Sequence, residues 1–153
     1  MEALRFVVQF LAVPVITFFG GLFLPHVQKP LTEYRKTLHD ISALIIRNTL
    51  LMYGSGSVPP VTDEAKKHNA ELKKCYSGLR DQHARLLSSS SAIPRFARPT
   101  LRLLGLLRSQ AQIETGAQML IGISNEVIGS NKDLPHLTEC IKRLGGALDI
   151  AVG

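Results

Sequence analysis

The stretch TDEAKKHNAELKKCYSGLRDQHARLL, residues 62–87, indicates the fold because it carries a seven-residue apolar repeat. Four residues recur at steps of seven: Ala65, Leu72, Leu79 and Leu86. This spacing places them in one stripe along a helix, with Cys75 on the same side, so that a long helix can pack against a neighbour. Thr62 is the expected N-cap, and the charged residues between the apolar positions predict a solvated outer face.

Three further helices are predicted by apolar residues that recur at three- and four-residue steps. The first runs from Leu31 to Tyr53 after Pro30, and a GSGSVPP loop follows it. Ser109 and Asp133 are the expected N-caps of the other two, and the SSSSAIP stretch at residues 88–94 is expected to end the heptad helix. No window alternates at two-residue steps between turns, so we expect an all-α fold built as a small helical bundle.

The N-terminal segment FVVQFLAVPVITFFGGLFL, Phe6–Leu24, contains 19 residues and no charge. As a helix it would extend roughly 28 Å at about 1.5 Å per residue, close to the roughly 30 Å of a bilayer's hydrocarbon core. It contains five of the six phenylalanines of the chain, which we assign to a membrane span: Phe6, Phe10, Phe18, Phe19 and Phe23. We therefore expect one N-terminal transmembrane helix ahead of the bundle.

Two alternatives for this segment stay open. A secretory signal would have an apolar stretch of about 7–15 residues and a small-residue cleavage site, and a buried helix that is apolar on every side would need a larger domain to cover it. Three basic residues follow the segment closely and one precedes it: Lys29, Arg35 and Lys36 against Arg5. This bias predicts a single-pass protein of the inner (cytoplasmic) membrane, with a transmembrane segment at 1–28 and a cytoplasmic helical-bundle domain at 29–153.

Basic charge is concentrated in one part of the chain. Lysine and arginine number 18 against 12 acidic residues, a formal net charge of +6, and residues 82–113 contain five arginines and no acidic residue. Four of these arginines lie in the stretch RFARPTLRLLGLLRS, residues 95–109: Arg95, Arg98, Arg102 and Arg108. Pro99 fits the first turn of a short helix predicted at Thr100–Arg108, so the first two arginines are expected in the loop that enters it.

Three uses of this stretch fit its composition. In the simplest, the leucines enter the bundle core and the arginines are solvated. In the second, the stretch lies on a membrane surface as a basic amphipathic helix, with its arginines at anionic lipid headgroups. In the third, the arginines bind a phosphorylated ligand such as a nucleotide through paired hydrogen bonds. The last two stay open because a solvated face usually mixes charges of both signs.

Motifs of catalysis and cofactor binding are absent from the sequence. It contains no G-x-x-x-x-G-K-[ST], G-x-G-x-x-G, H-E-x-x-H or G-x-S-x-G, and its five histidines are scattered. Cys75 and Cys140 occupy the apolar faces of predicted helices, and we expect neither to have a histidine partner at ligand spacing. The sequence therefore predicts a protein that is not an enzyme, with no catalytic residue, metal site or cofactor, and nothing in it indicates binding of duplex nucleic acid.

Several segments carry a resemblance to known proteins: LTEYRKTLHDISALI at 31–45, DEAKKHNAELKK at 63–74, LRLLGLL at 101–107 and LIGISNEV at 120–127. They resemble small bacterial and archaeal membrane proteins in which one N-terminal span precedes a helical cytoplasmic domain. The resemblance implies this topology and no activity. The combination of a span, a compact domain and an arginine cluster is also similar in architecture to membrane-anchored antiviral effectors that sense cyclic oligonucleotides.

From these features we expect a non-enzymatic, membrane-anchored helical protein that acts as an interaction scaffold and associates with itself as a homo-oligomer, with membrane lipid as a partner. The alternative is a membrane effector whose soluble domain senses a phosphorylated ligand, such as a cyclic oligonucleotide, in antiviral defence. In either case the candidate residues for binding an anion or a lipid headgroup are Arg95, Arg98, Arg102 and Arg108.

Overall fold

The computed structural model describes residues 20–21, 24–57 and 59–152, which contain five α-helices and no β-strand. Four of the helices are long and one is short: α1 (Leu24–Tyr53), α2 (Asp63–Ala92), α3 (Arg98–Leu103), α4 (Gln110–Ile128) and α5 (Leu134–Leu148). The all-α bundle expected from the sequence is confirmed for this part of the chain.

The helices α2 and α4 lie side by side and run in opposite directions. The Arg80 guanidinium in the second half of α2 donates to the side-chain oxygen of Asn125 at 3.2 Å. Further along α2, Leu87 lines the same groove as Ala117, which lies earlier on α4. Because later positions on α2 meet earlier positions on α4, the two helices are antiparallel. On its other side α2 packs against α1.

Glycines allow α4 and α5 to approach each other closely. A Cβ atom at Gly116 would lie 2.7 Å from the Cγ and Cδ2 atoms of Leu148, and a Cβ atom at Gly122 would lie 3.1 Å from Sγ of Cys140. These two contacts also show that α4 and α5 are antiparallel, since the earlier residue of α4 meets the later residue of α5.

The helix α5 and the residues after it return towards α1 and complete a ring of four helices, with an open groove left between α5 and α1. The Tyr53 hydroxyl at the end of α1 lies 3.2 Å from the Thr138 hydroxyl near the start of α5. At the other end of α5, the Ser42 hydroxyl donates to the carbonyl of Ala151. The four long helices therefore alternate in direction around one core, as in an up-and-down four-helix bundle.

The apolar stripes predicted from the sequence line this core. Leu72, Leu79 and Leu86 of the heptad repeat are at most 1% exposed, whereas Ala65 at its start is partly exposed. The buried residues of α4 and α5 include most of those that share a face in the sequence: Ile113, Ala117, Leu120, Ser124, Leu137, Ile141, Leu144 and Leu148. Each predicted N-cap side chain accepts a hydrogen bond from the amide three residues later: Thr62 from Ala65 (3.1 Å), Ser109 from Gln112 (3.2 Å) and Asp133 from His136 (3.0 Å).

Two predicted boundaries of the long helices are wrong. The helix α1 runs through Pro30, because Val27 before the proline and Tyr34 after it are both buried in the same core, and this packing outweighs the hydrogen bond that a proline removes. The helix α2 continues through Ser88–Ser91, where each hydroxyl donates to the carbonyl three residues earlier. These local hydrogen bonds satisfy the hydroxyl groups within the helix.

The arginine-rich segment spans one end of the ring between α2 and α4, and we call residues 93–109 the crossover. Its helix is Arg98–Leu103 and not the predicted Thr100–Arg108. Gly105 adopts a left-handed φ of 68°, and the next two amides turn back to the Leu101 carbonyl at 2.8 and 3.2 Å. Four apolar side chains of the crossover are buried in the core: Ile93, Ala97, Leu101 and Leu107. The crossover therefore covers this end of the bundle.

At the opposite end, which we call the loop end, the loops after α1 and α4 meet. A Cβ atom at Gly56 would lie 2.1 Å from the Gly129 carbonyl oxygen, so no side chain fits between the loops. Lys132 Nζ donates to the carbonyls of Leu51 and Met52 at 3.0 and 2.9 Å. These carbonyls end α1 and have no partner within the helix, so Lys132 ties the two loops together.

The localisation expected from the sequence, a single-pass protein of the inner membrane with its domain in the cytoplasm, is wrong. No helix among the described residues is both long and apolar enough to cross a membrane. The 30-residue α1 has charged residues along its length: Lys29, Glu33, Arg35, Lys36, Asp40 and Arg47. The phenylalanines assigned to the span lie outside the described residues: Phe6, Phe10, Phe18, Phe19 and Phe23. The division of the chain between residues 28 and 29 stays a prediction.

Replacement of Gly116 by alanine is expected to lower the free energy of unfolding by about 1–3 kcal/mol, because the new Cβ would overlap Leu148 in a packed core. Gly78→Ala is the matched control, since Gly78 is also helical and its Cβ would make an ordinary contact at 3.4 Å with Leu44. That variant is expected to gain roughly 0.5–1 kcal/mol from the helix propensity of alanine. Urea unfolding followed by circular dichroism measures both. Equal stabilisation would show that α4 and α5 are not in close contact.

Candidate functional site

Arg98, one of the four arginines predicted to bind an anion, is hydrogen-bonded to the backbone of its own chain. Its Nε donates to the Ile93 carbonyl and its Nη2 donates to the Ser91 carbonyl, both at 3.0 Å. These carbonyls lie at the C-terminal end of α2, where a helix has no internal donors left and where its dipole favours a cation. Arg98 therefore caps α2 and holds the start of α3 against it.

Arg108 is held at the other end of the crossover by an ion pair. Its guanidinium contacts the carboxylate of Asp149, immediately after α5. Tyr34 of α1 lies nearby: burial raises the pKa of the Tyr34 hydroxyl, and Arg108 opposes that rise. The ion pair joins the crossover to the end of α5 and neutralises part of the charge of Arg108.

Arg95 and Arg102 point away from the core and have no acidic partner in the part of the chain that the structure describes. Ala97 and Leu101 are buried, so residues that lie on the opposite side of this turn and of α3 face solvent. Three large apolar side chains of the same segment are also exposed, with Phe96 64%, Leu103 87% and Leu104 63% exposed. We call the two arginines and these three side chains the crossover face: Arg95, Phe96, Arg102, Leu103 and Leu104.

The fold therefore brings the four predicted arginines to one end of the bundle without directing them at one point. Two guanidinium groups are bound within the chain and two belong to the crossover face. The open groove between α1 and the last turns of α2, about 440 Å³ in volume, is lined by none of the four. Its charged residues are of both signs: Lys29, Glu33, Lys36, Asp40 and Arg85.

A second polar cluster lies between α4 and α5 near the loop end, and the sequence does not predict it. His136 Nδ1 lies 3.0 Å from Glu126 Oε1, and His136 Nε2 lies 3.6 Å from Sγ of Cys140. Glu126 Oε2 accepts a hydrogen bond from the amide of Asp133 at 3.0 Å. We call Glu126, His136 and Cys140 the thiol relay. The expectation that Cys140 has no histidine partner is wrong.

The sequence contains part of the information that indicates the thiol relay. His136 and Cys140 are four residues apart, which places them on the same face of one helix. Glu126 lies in the last turn of α4, and it reaches His136 only because α5 folds back along α4. The relay therefore combines a local spacing, which can be seen in the sequence, with a contact between two helices, which cannot.

The electrostatics of the relay keep its thiol in the neutral form. Burial raises the pKa of the Cys140 thiol, the carboxylates of Glu126 and Glu139 raise it further, and Arg143 opposes them. Cys140 is 4% exposed, whereas the His136 side chain is 52% exposed. Glu126 and Cys140 lie at the two different nitrogens of the imidazole. Among the described residues, no group of three or more acidic, histidine or cysteine side chains is arranged to hold a metal ion.

The second cysteine, Cys75, provides a comparison. It is equally buried, and burial raises the pKa of its thiol to about 11 although Lys132 and Arg47 both lower it. Within the described residues it has no hydrogen bond to a histidine. The two cysteines therefore differ in their neighbours more than in their burial.

Comparison of the chain with known protein families, with curated proteins and with solved structures finds no match. The resemblance to small bacterial and archaeal membrane proteins and to membrane-anchored antiviral effectors stays a prediction from the sequence. The function must be inferred from the residues of this chain.

Arg98→Met is expected to lower the free energy of unfolding by about 1–3 kcal/mol, because two helix-end carbonyls lose charged donors. Arg102→Met is the matched control four residues later, and it is expected to change the free energy by less than about 0.5 kcal/mol because its side chain faces solvent. Urea unfolding of the two variants measures the difference. A larger effect at Arg102 would contradict the assignment of Arg98 as the cap of α2.

Proposed function

We propose that this protein is a non-enzymatic helical interaction module whose crossover face binds an acidic, amphipathic segment of a partner protein. One observation supports the proposal: the fold leaves two arginines and three large apolar side chains outside the core on the same short segment. Arginine and aromatic residues such as phenylalanine are enriched at the centres of protein interfaces.

The positive charge of the crossover face favours a partner segment that carries acidic side chains. Residues 82–113 contain no acidic side chain, so the positive charge of Arg95 and Arg102 is not neutralised by neighbours along the chain. A binding segment that offers carboxylates to the arginines and apolar side chains to Leu103 would satisfy both parts of the face. A short amphipathic helix with glutamate and leucine on adjoining faces has this chemistry.

Binding of a phosphorylated ligand, the sequence-based alternative, has less support from the geometry. A phosphate site usually joins several donors around one anion, but Arg98 and Arg108 are occupied by contacts within the chain. The remaining two arginines lie on an exposed surface. A cyclic oligonucleotide would therefore meet at most half of the predicted cluster.

Self-association through the crossover face is also less favoured. A two-fold contact would place the same surface patch of both copies together, and it would bring the arginines of one copy close to those of the other. Like charges opposed across an interface weaken binding. The homo-oligomer expected from the sequence therefore needs a different surface.

The proposal can be tested with the full-length protein and a fluorescent peptide that carries glutamates and leucines on adjoining faces of one helix. We expect saturable binding by fluorescence anisotropy that weakens as salt is added, because exposed charges are screened. Replacing both Arg95 and Arg102 by glutamine is expected to weaken binding about tenfold, equivalent to roughly 1.4 kcal/mol. Leu103→Ser is expected to weaken it by a similar factor.

Matched controls separate this site from general charge and hydrophobicity. Lys67→Gln removes an exposed cation, and Val61→Ser removes a side chain that is 84% exposed, both far from the crossover. Neither change is expected to alter binding. The proposal fails if the peptide does not bind, or if the arginine and leucine variants bind as well as the wild type. Tighter binding to phosphatidylglycerol vesicles or to ATP than to the peptide would replace it with a lipid or a phosphate ligand.

A further inference from the structure

The thiol relay has the arrangement that activates a cysteine as a nucleophile. Such sites place a base within hydrogen-bonding distance of the thiol and orient that base with a third group. Here the distances are 3.6 Å from Sγ of Cys140 to Nε2 of His136 and 3.0 Å from Nδ1 of His136 to Oε1 of Glu126. A carboxylate at Nδ1 favours the tautomer with a proton on that nitrogen, which leaves Nε2 free to accept the thiol proton.

The base is held in position by its surroundings. The second oxygen of Glu126 accepts from the amide of Asp133, and the carboxylate of Asp133 accepts from the amide of His136 at 3.0 Å. Both carboxylates are therefore fixed by backbone donors at the start of α5. As a result, the imidazole is oriented by a network that joins α4, the loop and α5.

The imidazole forms the exposed side of the thiol relay. The His136 side chain is 52% exposed, whereas Cys140 is almost fully covered. On the α4 side Gly122 packs against Sγ, so closely that a Cβ atom there would lie 3.1 Å from it. A reagent that reaches the thiol past the imidazole must therefore be small, which favours a small, linear molecule over a protein partner.

We propose that Cys140 is a modification site that forms a mixed disulfide with low-molecular-weight disulfides, with His136 as the general base. In the reaction the thiol proton moves to Nε2 of His136 while Sγ attacks one sulfur of the reagent. The disulfide bond of the reagent breaks, its electron pair leaves with the other sulfur, and this leaving thiolate takes the proton from His136. The cysteine sulfur is oxidised, the released thiol is the reduced product, and no other reagent is consumed.

The base is needed because the surroundings disfavour a preformed thiolate. The charged groups around Sγ are Glu126 on α4 and Glu139 and Arg143 on α5. Burial and the two carboxylates raise the pKa of the thiol, and Arg143 lowers it. Proton transfer to a positioned base typically accelerates a reaction by about 10²–10⁴-fold. Cys75 is as little exposed to solvent and lacks the base, so it serves as an internal reference in the same molecule.

The two cysteines can be compared in the wild-type protein without removing either one. Trypsin releases Cys75 in CYSGLR, residues 75–80, and Cys140 in DLPHLTECIK, residues 133–142. The folded full-length protein is incubated with 2-hydroxyethyl disulfide, quenched with acid, digested and quantified by mass spectrometry. We expect Cys140 to react at least about tenfold faster than Cys75, with a rate proportional to the concentration of the reagent.

His136→Gln tests the base directly. The imidazole is half exposed, so the variant is expected to fold, and urea unfolding checks its stability. We expect modification of Cys140 to slow at least about tenfold, while Lys142→Gln, an exposed change on the same helix, leaves the rate unaltered. In Glu126→Gln, we expect the imidazole ¹⁵N shifts of His136 to lose the signature of the Nδ1-protonated tautomer, a change that altered packing alone would not produce.

Three results would overturn the proposal. The first is equal reactivity of the two cysteines. The second is an unchanged or faster reaction of Cys140 in a folded His136→Gln variant, which would show that exposure limits the rate. The third is a rate independent of the concentration of the disulfide, which would show that opening of the bundle and not proton transfer controls the reaction.

Discussion

The open end of the helix ring is the constraint on which the rest of this structure depends. Four antiparallel helices enclose an apolar core along their length but leave it uncovered where α2 connects to α4. The connecting segment must place apolar side chains over this end of the core. It does so with four buried residues: Ile93, Ala97, Leu101 and Leu107. Their inward positions determine which residues of the crossover remain outside.

That constraint also divides the arginines into two kinds. Arg98 lies where the last carbonyls of α2 need donors, and Arg108 lies beside the carboxylate that follows α5. Both are used to hold the crossover in place. The side chains of Arg95 and Arg102 point away from the core that Ala97 and Leu101 enter, so their charge is exposed. The arginines of this stretch therefore have two roles: two stabilise the fold, and two are exposed to solvent. The contacts in the folded structure are needed to tell which is which.

Features that depend on local spacing were predictable, and features that depend on packing between elements were not. The stripe of Leu72, Leu79 and Leu86 and the three N-caps follow from spacing along single helices. The start of α1 expected after Pro30 is wrong, because burial of Val27 and Tyr34 on either side outweighs the local effect of a proline. Composition identifies the four arginines of the crossover as a cluster. It does not show which of them are bound within the chain, because the partners of Arg98 and Arg108 lie on other elements. Localisation was wrong because it relied on hydropathy in a segment outside the described residues.

The thiol relay shows how packing between two helices can create chemistry that neither helix has alone. His136 and Cys140 share a face of α5 in any helical structure, but Glu126 meets the imidazole only in one register of α4 against α5. A slip by one turn would move it about 5.4 Å along the axis and beyond hydrogen-bonding distance. Gly116 and Gly122 set this register because each leaves room for one side chain of α5, and Gly122 leaves that room at Sγ itself. The residues that allow the helices to pack therefore also position the base beside the thiol.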